Sequence, residues 1–261
     1  MANKLSVAVH KFTSCDGCQL ALLNLGPTLL AVADRFELRH FVEAGPVDPD
    51  AHVDVAFIEG SISTPDEEAR IKRIRAAARH LVAIGACATS GGIQALRNLP
   101  HEGDWVGAIY ASPQYIETLA EVRAIGDVVK VDLELWGCPI TSAQILAALR
   151  AFAAGVLPAN EADKVCLECK RSQTVCVMVA RQAPCLGPVT RSGCGAICPR
   201  FGRDCYGCFG PSETPNTAAL ARRLEGLGLP PRAVAHRFHF INSAAPAFAA
   251  AGRAAQEHPD D

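Results

Sequence analysis

Short apolar runs alternate with amphipathic stretches along the first 155 residues of the chain. Runs with the length and composition of strands cover residues 5–10, 36–42, 53–58, 81–84 and 128–133. Apolar residues at helical spacing cover residues 19–33, 65–79, 93–98 and 141–153. The run V-D-V-A-F-I is nearly continuous, as expected of a strand buried on both faces of a parallel sheet. Strands that alternate with helices predict an α/β fold with a flavodoxin-like parallel sheet.

The pattern changes after Gly155. Residues 166–208 show little periodicity but contain many Gly, Pro and Cys residues. Such a segment cannot form an apolar core by itself, so we expect groups held by its cysteines to act as its core. A helix over residues 216–224 and the Ala-rich C-terminal segment are expected to pack against it. The sequence therefore predicts a flavodoxin-like domain over residues 1–157 and a smaller irregular domain over residues 158–261.

Composition and charge exclude two classes of function. A net charge of -2 and a pI near 6.4 argue against a nucleic-acid-binding surface. No apolar run reaches the roughly 18 residues that a membrane-spanning helix needs, so we expect no transmembrane segment. Met1 leads directly into the first strand without a charged and then apolar leader, so we expect a cytoplasmic protein.

The twelve cysteines are the main candidates for chemistry, and eight of them fall within residues 166–208. They could form disulfides, bind zinc or bind iron–sulfur clusters. An intracellular location disfavours disulfides. Twelve thiolates divide into three sets of four, as three [4Fe–4S] clusters require. A non-redox scaffold with structural zinc remains the alternative, and an analysis of metal and acid-labile sulfide distinguishes the two.

The first four cysteines, Cys15, Cys18, Cys87 and Cys138, each follow a predicted strand. Ligands of open α/β sheets lie beyond the carboxyl ends of the strands, so these four thiols are predicted to form one site. Glu59 ends a strand at the same edge and is expected either to cap a helix or to line the site. The glycines around Cys87 do not form the G-x-G-x-x-G fingerprint of dinucleotide binding.

Six motifs together resemble the small, electron-transferring subunit of [NiFe] hydrogenases over nearly the whole chain. They are C-D-G-C (15–18), E-G-S (59–61), G-A-C-A (85–88), G-C-P (137–139), P-C-L-G-P-V-T (184–190) and C-Y-G-C (205–208). Within that family the chain is most similar to the cytoplasmic NAD(P)-linked type, the sulfhydrogenase delta subunits. The absence of a twin-arginine leader agrees with this type.

The resemblance implies a ligand set for each of three clusters. The proximal cluster takes Cys15, Cys18, Cys87 and Cys138. The medial cluster takes Cys194, Cys198, Cys205 and Cys208. The distal cluster takes Cys166, Cys169, Cys176 and Cys185. Exported relatives often carry His where this chain has Cys166, and thiolate should lower the potential of the distal cluster. Spacing alone also permits an exchange of the fourth ligands between the last two clusters, as in ferredoxins.

The resemblance also implies the activity and the partners. The chain would be a non-catalytic subunit of a hydrogenase that relays electrons from the Ni–Fe centre of a large subunit. The acceptors would be flavin- and NAD(P)-binding subunits and iron–sulfur subunits of the diaphorase type. Two related alternatives remain, namely the gamma-type subunit of F420-reducing hydrogenases and the cluster subunit of a complex I-like quinone reductase. The second usually has adjacent cysteines in its first motif, and C-D-G-C argues against it. Lys170 and Arg171 are expected on a solvated face or as contacts for an acidic partner.

Overall fold

Five strands form a sheet in the N-terminal part of the chain. The structure, a computed structural model, describes residues 4–28, 34–99, 105–159 and 163–257. The strands are β1 (Leu5–Lys11), β2 (Phe36–His40), β3 (Val53–Glu59), β4 (Ala78–Ile84) and β5 (Leu133–Leu135). Their order across the sheet is β2-β1-β3-β4-β5, and β1 pairs in parallel with β2 and β3, as β3 does with β4. The predicted α/β class is confirmed.

Within the described residues of the N-terminal half, the helices named below are short apart from one. They are α1 (Gly17–Leu23), α2 (Pro65–Ala77), α3 (Gly85–Ser90) and α4 (Trp105–Ile109). Turns of 3-10 helix cover Val42–Ala44, Gly92–Asn98, Pro113–Tyr115 and Ile125–Asp127. The predicted helix over residues 19–33 is observed only in its first part, as α1, because the helix ends at Leu23 and a turn follows over residues 24–26. Residues 29–33 of that prediction lie outside the described residues.

Helices of the C-terminal half begin with the predicted helix over residues 141–153. They are α5 (Ser142–Ala153), α6 (Val165–Arg171), α7 (Val177–Arg181), α8 (Ile197–Arg200), α9 (Thr217–Glu225), α10 (Pro231–Phe238) and α11 (Pro246–Gln256). None of the helices in the described ranges is both long and apolar enough for a bilayer crossing.

The sheet is buried on both faces in its centre. Along β3 every residue except Asp54 is buried, which explains its nearly continuous apolar sequence. One face packs against α2, whose Ile71 and Ile74 join a core cluster with Ala56, Ile58 and other strand residues. Thr64 begins α2 with a capping box in which its hydroxyl accepts the backbone N–H of Glu67.

The predicted fifth strand, over residues 128–133, is wrong in its bounds. The strand is only Leu133–Leu135, and Val128 and its neighbouring valines pack against the core from an irregular segment. The carboxylate of Asp132 accepts the backbone N–H of Leu81 at 2.8 Å and also pairs with Arg75 at 2.6 Å. A side chain therefore takes a position that a backbone carbonyl would occupy in a regular ladder, and alternation alone does not reveal this.

Two compact units divide the chain at a different place from the predicted domain boundary. The units are residues 1–134 and 135–261, so Cys138 and α5 belong to the second unit. An apolar cluster in this unit combines α9, α10 and α11 through Leu224, Phe238 and Phe248. Leu186 and Val189 from the cysteine-rich segment join the same cluster. The C-terminal helices thus form an apolar core of their own. The sequence predicted only that they would pack against the cysteine-rich segment.

His10 and His40 stack on each other and are buried in the packing of the sheet. The rings of His10 and His40 lie 4.5 Å apart, and both side chains are buried. Burial, with help from His40 and Arg70, lowers the pKa of His10 from 6.5 to about 3. Both rings are therefore expected to be neutral in the folded protein at neutral pH.

His10→Gln should reduce the acid sensitivity of the fold. Between pH 6.5 and about 3 the unfolded chain protonates His10 and the folded chain does not. This contribution to stability is therefore complete above pH 6.5 and is lost as the pH falls, by up to about 1.4 kcal/mol per pH unit. Urea unfolding followed by circular dichroism at pH 7 and pH 5 measures the slope. The control, His52→Gln at an exposed position, should change the pH dependence of the free energy of unfolding far less. An equal pH dependence in the wild type and both variants would contradict this role of His10.

Candidate metal centre

The carboxyl ends of three neighbouring strands bring the first cysteines to one edge of the N-terminal unit. Lys11, Glu59 and Ile84 end β1, β3 and β4 and stand opposite one another in the ladder. Cys15 and Cys18 follow β1, and Cys87 lies in α3, directly after β4. The chain order and the parallel register therefore place these three thiols beyond the same edge, as the sequence predicts.

Glu59 holds the start of α1. Its side chain is 2% exposed, and its carboxylate accepts the backbone N–H of Cys18 at 3.0 Å and that of Gln19 at 3.3 Å. Burial raises the pKa of Glu59, and these hydrogen bonds oppose the increase. Glu59 therefore caps a helix and fixes the backbone of Cys18, and its expected role in lining a site remains a prediction.

Gln94 and Gly92 are site residues that the sequence analysis missed. The amide oxygen of Gln94 lies 3.4 Å from the sulfur of Cys87, and its nitrogen donates to the carbonyl of Thr13 at 2.9 Å. Gln94 therefore links Cys87 to the loop that carries Cys15. Gly92 has φ +63, and a Cβ there would lie 2.6 Å from the Cys87 sulfur. The Gly-Gly pair after G-A-C-A was the only sequence signal for this close approach.

Cys138 lies in the second unit, where it is exposed. Its backbone N–H donates a hydrogen bond to the thiol of Cys208. The structure therefore records a contact of Cys138 within its own unit. Its predicted role as the fourth ligand beside Cys15, Cys18 and Cys87 remains a prediction.

Four thiols of the C-terminal unit face one another. Cys166 and Cys169 lie one turn apart on α6, Cys176 immediately precedes α7, and Cys185 follows in a buried loop. Burial raises the pKa of Cys166, and the neighbouring thiols of Cys185 and Cys176 raise it further. The pKa of Cys169 rises to about 11, first through burial and then through the other three thiols. Cys166, Cys169, Cys176 and Cys185 are therefore electrostatic neighbours, and their assignment to one distal cluster remains a prediction.

The remaining four thiols are grouped less clearly. Burial raises the pKa of Cys208 to about 12, with further increases from Cys194, Cys138 and Cys198. Burial also raises the pKa of Cys205, which has both Cys185 and Cys208 as neighbours. The backbone N–H of Cys205 donates to the Cys185 sulfur at 3.2 Å. Cys205 thus lies between the two predicted sets, where an exchange of ligands would occur.

Glu168 is a further residue that the sequence analysis did not select. It stands between Cys166 and Cys169, and its carboxylate accepts the backbone N–H groups of Gly193 (2.9 Å), Gly195 (3.0 Å) and Ala196 (3.1 Å). The loop that those residues form carries Cys194, whose sulfur lies 3.7 Å from the same carboxylate. One side chain therefore fixes the loop of one thiol set to the helix that carries the other.

The donor set suits a thiophilic metal group. Cys185 and Cys205 belong to an apolar core cluster with Val165, Val177 and Ala196. A thiolate in such surroundings is unfavourable unless a metal neutralises it, and metal coordination deprotonates thiols outright. Within the described ranges, no three His, Cys, Asp or Glu side chains are arranged to hold a single metal ion.

Comparisons with known proteins agree with this chemistry. A family profile described as NADH ubiquinone oxidoreductase, 20 Kd subunit, matches residues 15–152. Sulfhydrogenase 2 subunit delta of Pyrococcus furiosus is 32% identical over 89% of this chain and 97% of its own length. A vhu subunit of the F420-non-reducing hydrogenase of Methanocaldococcus jannaschii is 31% identical over 80% of this chain and 83% of its own length. A crystal structure of an NAD+-reducing [NiFe]-hydrogenase in the H2-reduced state contains a chain with a TM-score of 0.55 and 26% identity; the match covers 60% of this chain and 95% of that one.

Glu168→Gln should loosen the loop that carries Cys194. An amide offers one acceptor oxygen, and its NH2 group would face the N–H groups that the carboxylate now accepts. We expect faster amide exchange at Gly193, Gly195 and Ala196, and a loss of about 2 kcal/mol of local stability. Hydrogen–deuterium exchange of the full chain, read by mass spectrometry, measures the effect. Glu213→Gln, at an exposed position of the same unit, is the control. Unchanged exchange in the Glu168 variant would contradict the structural role.

Proposed function

Since this chain belongs to the hydrogenase small-subunit family, which shares the 20 kDa-subunit profile of NADH ubiquinone oxidoreductase, we propose that it relays electrons within a [NiFe] hydrogenase. Three [4Fe–4S] clusters would carry them between the Ni–Fe centre of a large subunit and a distant acceptor. The catalytic centre lies on the large subunit, so no residue of this chain performs acid–base or nucleophilic chemistry.

The observation that carries the proposal is that Cys166, Cys169, Cys176 and Cys185 are electrostatic neighbours, with Cys169 and Cys185 in an apolar cluster. Burial and neighbouring thiols raise the pKa values of Cys166, Cys169 and Cys185, so these three thiols have no acid–base role at neutral pH. A free thiolate is unfavourable in apolar surroundings, and bound iron would neutralise its charge. Four thiolates are the ligand set of a [4Fe–4S] cluster. Such a cluster takes up and releases one electron at a time.

The ligand sets follow the resemblance and are part of the proposal. Cys15, Cys18, Cys87 and Cys138 hold the proximal cluster, and Cys166, Cys169, Cys176 and Cys185 hold the distal one. Cys194, Cys198, Cys205 and Cys208 hold the medial cluster. We keep Cys205 in the medial set because its contact with Cys185 is made by the backbone N–H. An N–H group that donates to a ligating sulfur stabilises the thiolate and requires no exchange of ligands.

The chain's own residues set the conditions for electron transfer. Glu59 and Glu168 fix the backbones next to Cys18 and Cys194, so the thiol positions do not depend on flexible loops. All-cysteine ligation, including Cys166, keeps negative charge at the sites and favours low potentials. Low potentials suit a nicotinamide acceptor reached through flavin and iron–sulfur subunits of the diaphorase type.

We place the complex in the cytoplasm as part of this proposal. One solved relative is named as NAD+-reducing, and the Pyrococcus furiosus relative as a sulfhydrogenase subunit. Several archaeal relatives are named as subunits of F420-non-reducing hydrogenases, so a protein acceptor other than a diaphorase subunit is the second candidate. A quinone-reductase subunit is less well supported, because the relatives that cover most of the chain are hydrogenase subunits.

Cys176→Ser in the assembled hydrogenase tests the relay. Cys176 is exposed, so the variant should fold, but one ligand of the distal set is lost. We expect reduction of NAD(P)+ by H2 to fall at least tenfold, with an altered distal EPR signal. Exchange between H2 and D2O should persist, because it needs only the large subunit's centre. Thr174→Ser in the same loop is the control. An equal loss of both activities in an intact complex, or wild-type values of both, would contradict the proposal.

A further inference from the structure

A hollow of about 540 Å³ opens on the surface of the C-terminal unit. The loop between α6 and α7 lines one side of it with Val175, and α7 contributes Arg181. Pro199 and Arg200 from α8 line the other side. Arg181 donates to the carbonyl of Gly202 at 3.0 Å and so connects the two walls. We call the hollow and its rim, formed by residues 170–181 and 197–203, the docking surface.

Large apolar side chains are exposed across the docking surface. Val175 is 72% exposed, Val179 79%, Ile197 56% and Phe201 80%. Val175 lines the hollow, and Val179, Ile197 and Phe201 lie in the two short segments that supply its other lining residues. Single exposed apolar residues are ordinary, but a group of them around a hollow is typical of a protein-binding site.

The charge on the docking surface has one sign. Between Glu168 and Asp204 the sequence contains no acidic residue and six basic ones. They are Lys170, Arg171, Arg181, Arg191, Arg200 and Arg203. The two acidic residues at the ends of this stretch are already engaged, Glu168 with backbone N–H groups and Asp204 with Arg237. The surface is therefore basic in a chain whose net charge is -2.

Compensation of cluster charge is the simpler explanation of these basic residues. It fits Arg191, which is half-buried and stacks over Trp136. It does not fit Arg181 and Arg200, which are exposed, because water screens an exposed cation from charges below the surface. Exposed charges of one sign act mainly on molecules that approach, by raising the rate of association with oppositely charged partners.

The docking surface lies directly beside the predicted distal thiols. Cys176 is exposed and stands between Val175 and Val177, both of which line the hollow. Its thiol is also an electrostatic neighbour of Cys166 and Cys169. A molecule seated in the hollow would therefore be separated from the distal set by little more than the Cys176 side chain.

We propose that this surface is the docking site of an acidic electron-carrier protein. The inference rests on the proposed function with its second candidate acceptor, a protein other than a diaphorase subunit, and adds the place and the chemistry of that exit partner. Oxidation of one H2 releases two protons and two electrons, so a one-electron carrier protein must dock twice for each H2 consumed. An anionic membrane is the competing occupant. The concave shape and the absence of a long amphipathic helix in these segments favour a protein.

The test uses the assembled hydrogenase with an acidic [2Fe–2S] ferredoxin as the probe. Binding is measured anaerobically by biolayer interferometry, and H2-driven reduction of the ferredoxin by stopped flow, both over a range of ionic strength. Lys170→Glu combined with Arg200→Glu should weaken binding and slow association about tenfold or more at low salt, with a shallower salt dependence. Phe201→Ser should weaken binding without changing the salt dependence.

Arg222→Glu combined with Arg223→Glu, an equal charge reversal at exposed positions of α9, is the matched control and should leave both readouts unchanged. H2-driven reduction of benzyl viologen should stay at the wild-type rate in every variant. If the wild-type complex itself did not reduce benzyl viologen with H2, the proposed function would be overturned rather than the docking site. Ferredoxin binding that is insensitive to the docking-surface variants would overturn the inference. Binding to phosphatidylglycerol vesicles that depends on Lys170 and Arg200, with unchanged ferredoxin kinetics, would overturn it in favour of a membrane.

Discussion

The C-terminal unit depends on the burial of thiols in apolar surroundings. Cys185 and Cys205 take positions in an apolar cluster where valine or alanine would otherwise be expected. Burial raises the pKa of these cysteines and of their neighbours, so each is stable there as a thiol or as a metal-bound thiolate, but not as a free thiolate. Under the proposed function, bound clusters would neutralise these thiolates and would link the fold of residues 163–212 to electron transfer.

In both units a glutamate carboxylate accepts backbone N–H groups beside a cysteine and so positions that cysteine. Glu59 ends β3 and accepts the N–H groups at the start of α1, beside Cys18. Glu168 lies on α6 and accepts three N–H groups around Cys194. In each case the carboxylate accepts hydrogen bonds from the backbone beside a cysteine that we propose as a ligand. Rigid ligand loops of this kind fix a redox centre without a contribution from the rest of the core.

The sequence predicted most of the N-terminal unit because its signals are local. The apolar run of β3 and the Thr64 capping box of α2 each lie within a few residues. The bounds of β5 were wrong because the Asp132 carboxylate replaces a backbone partner of Leu81, a contact made across 51 positions. Cysteines were found by count and spacing, whereas Glu168 and Gln94 were missed. Their roles arise from contacts with Gly193 and Thr13, which are distant in sequence and leave no periodic or motif signal.

We infer that twelve thiolates of this chain hold three iron–sulfur clusters in a subunit of the hydrogenase family. The most direct measurement is the iron, zinc and acid-labile sulfide content of the chain in its complex, purified anaerobically, after correction for metal on the other subunits. The account predicts about twelve irons and about twelve sulfides per chain. About two to three zinc ions per chain, with no labile sulfide, would contradict it.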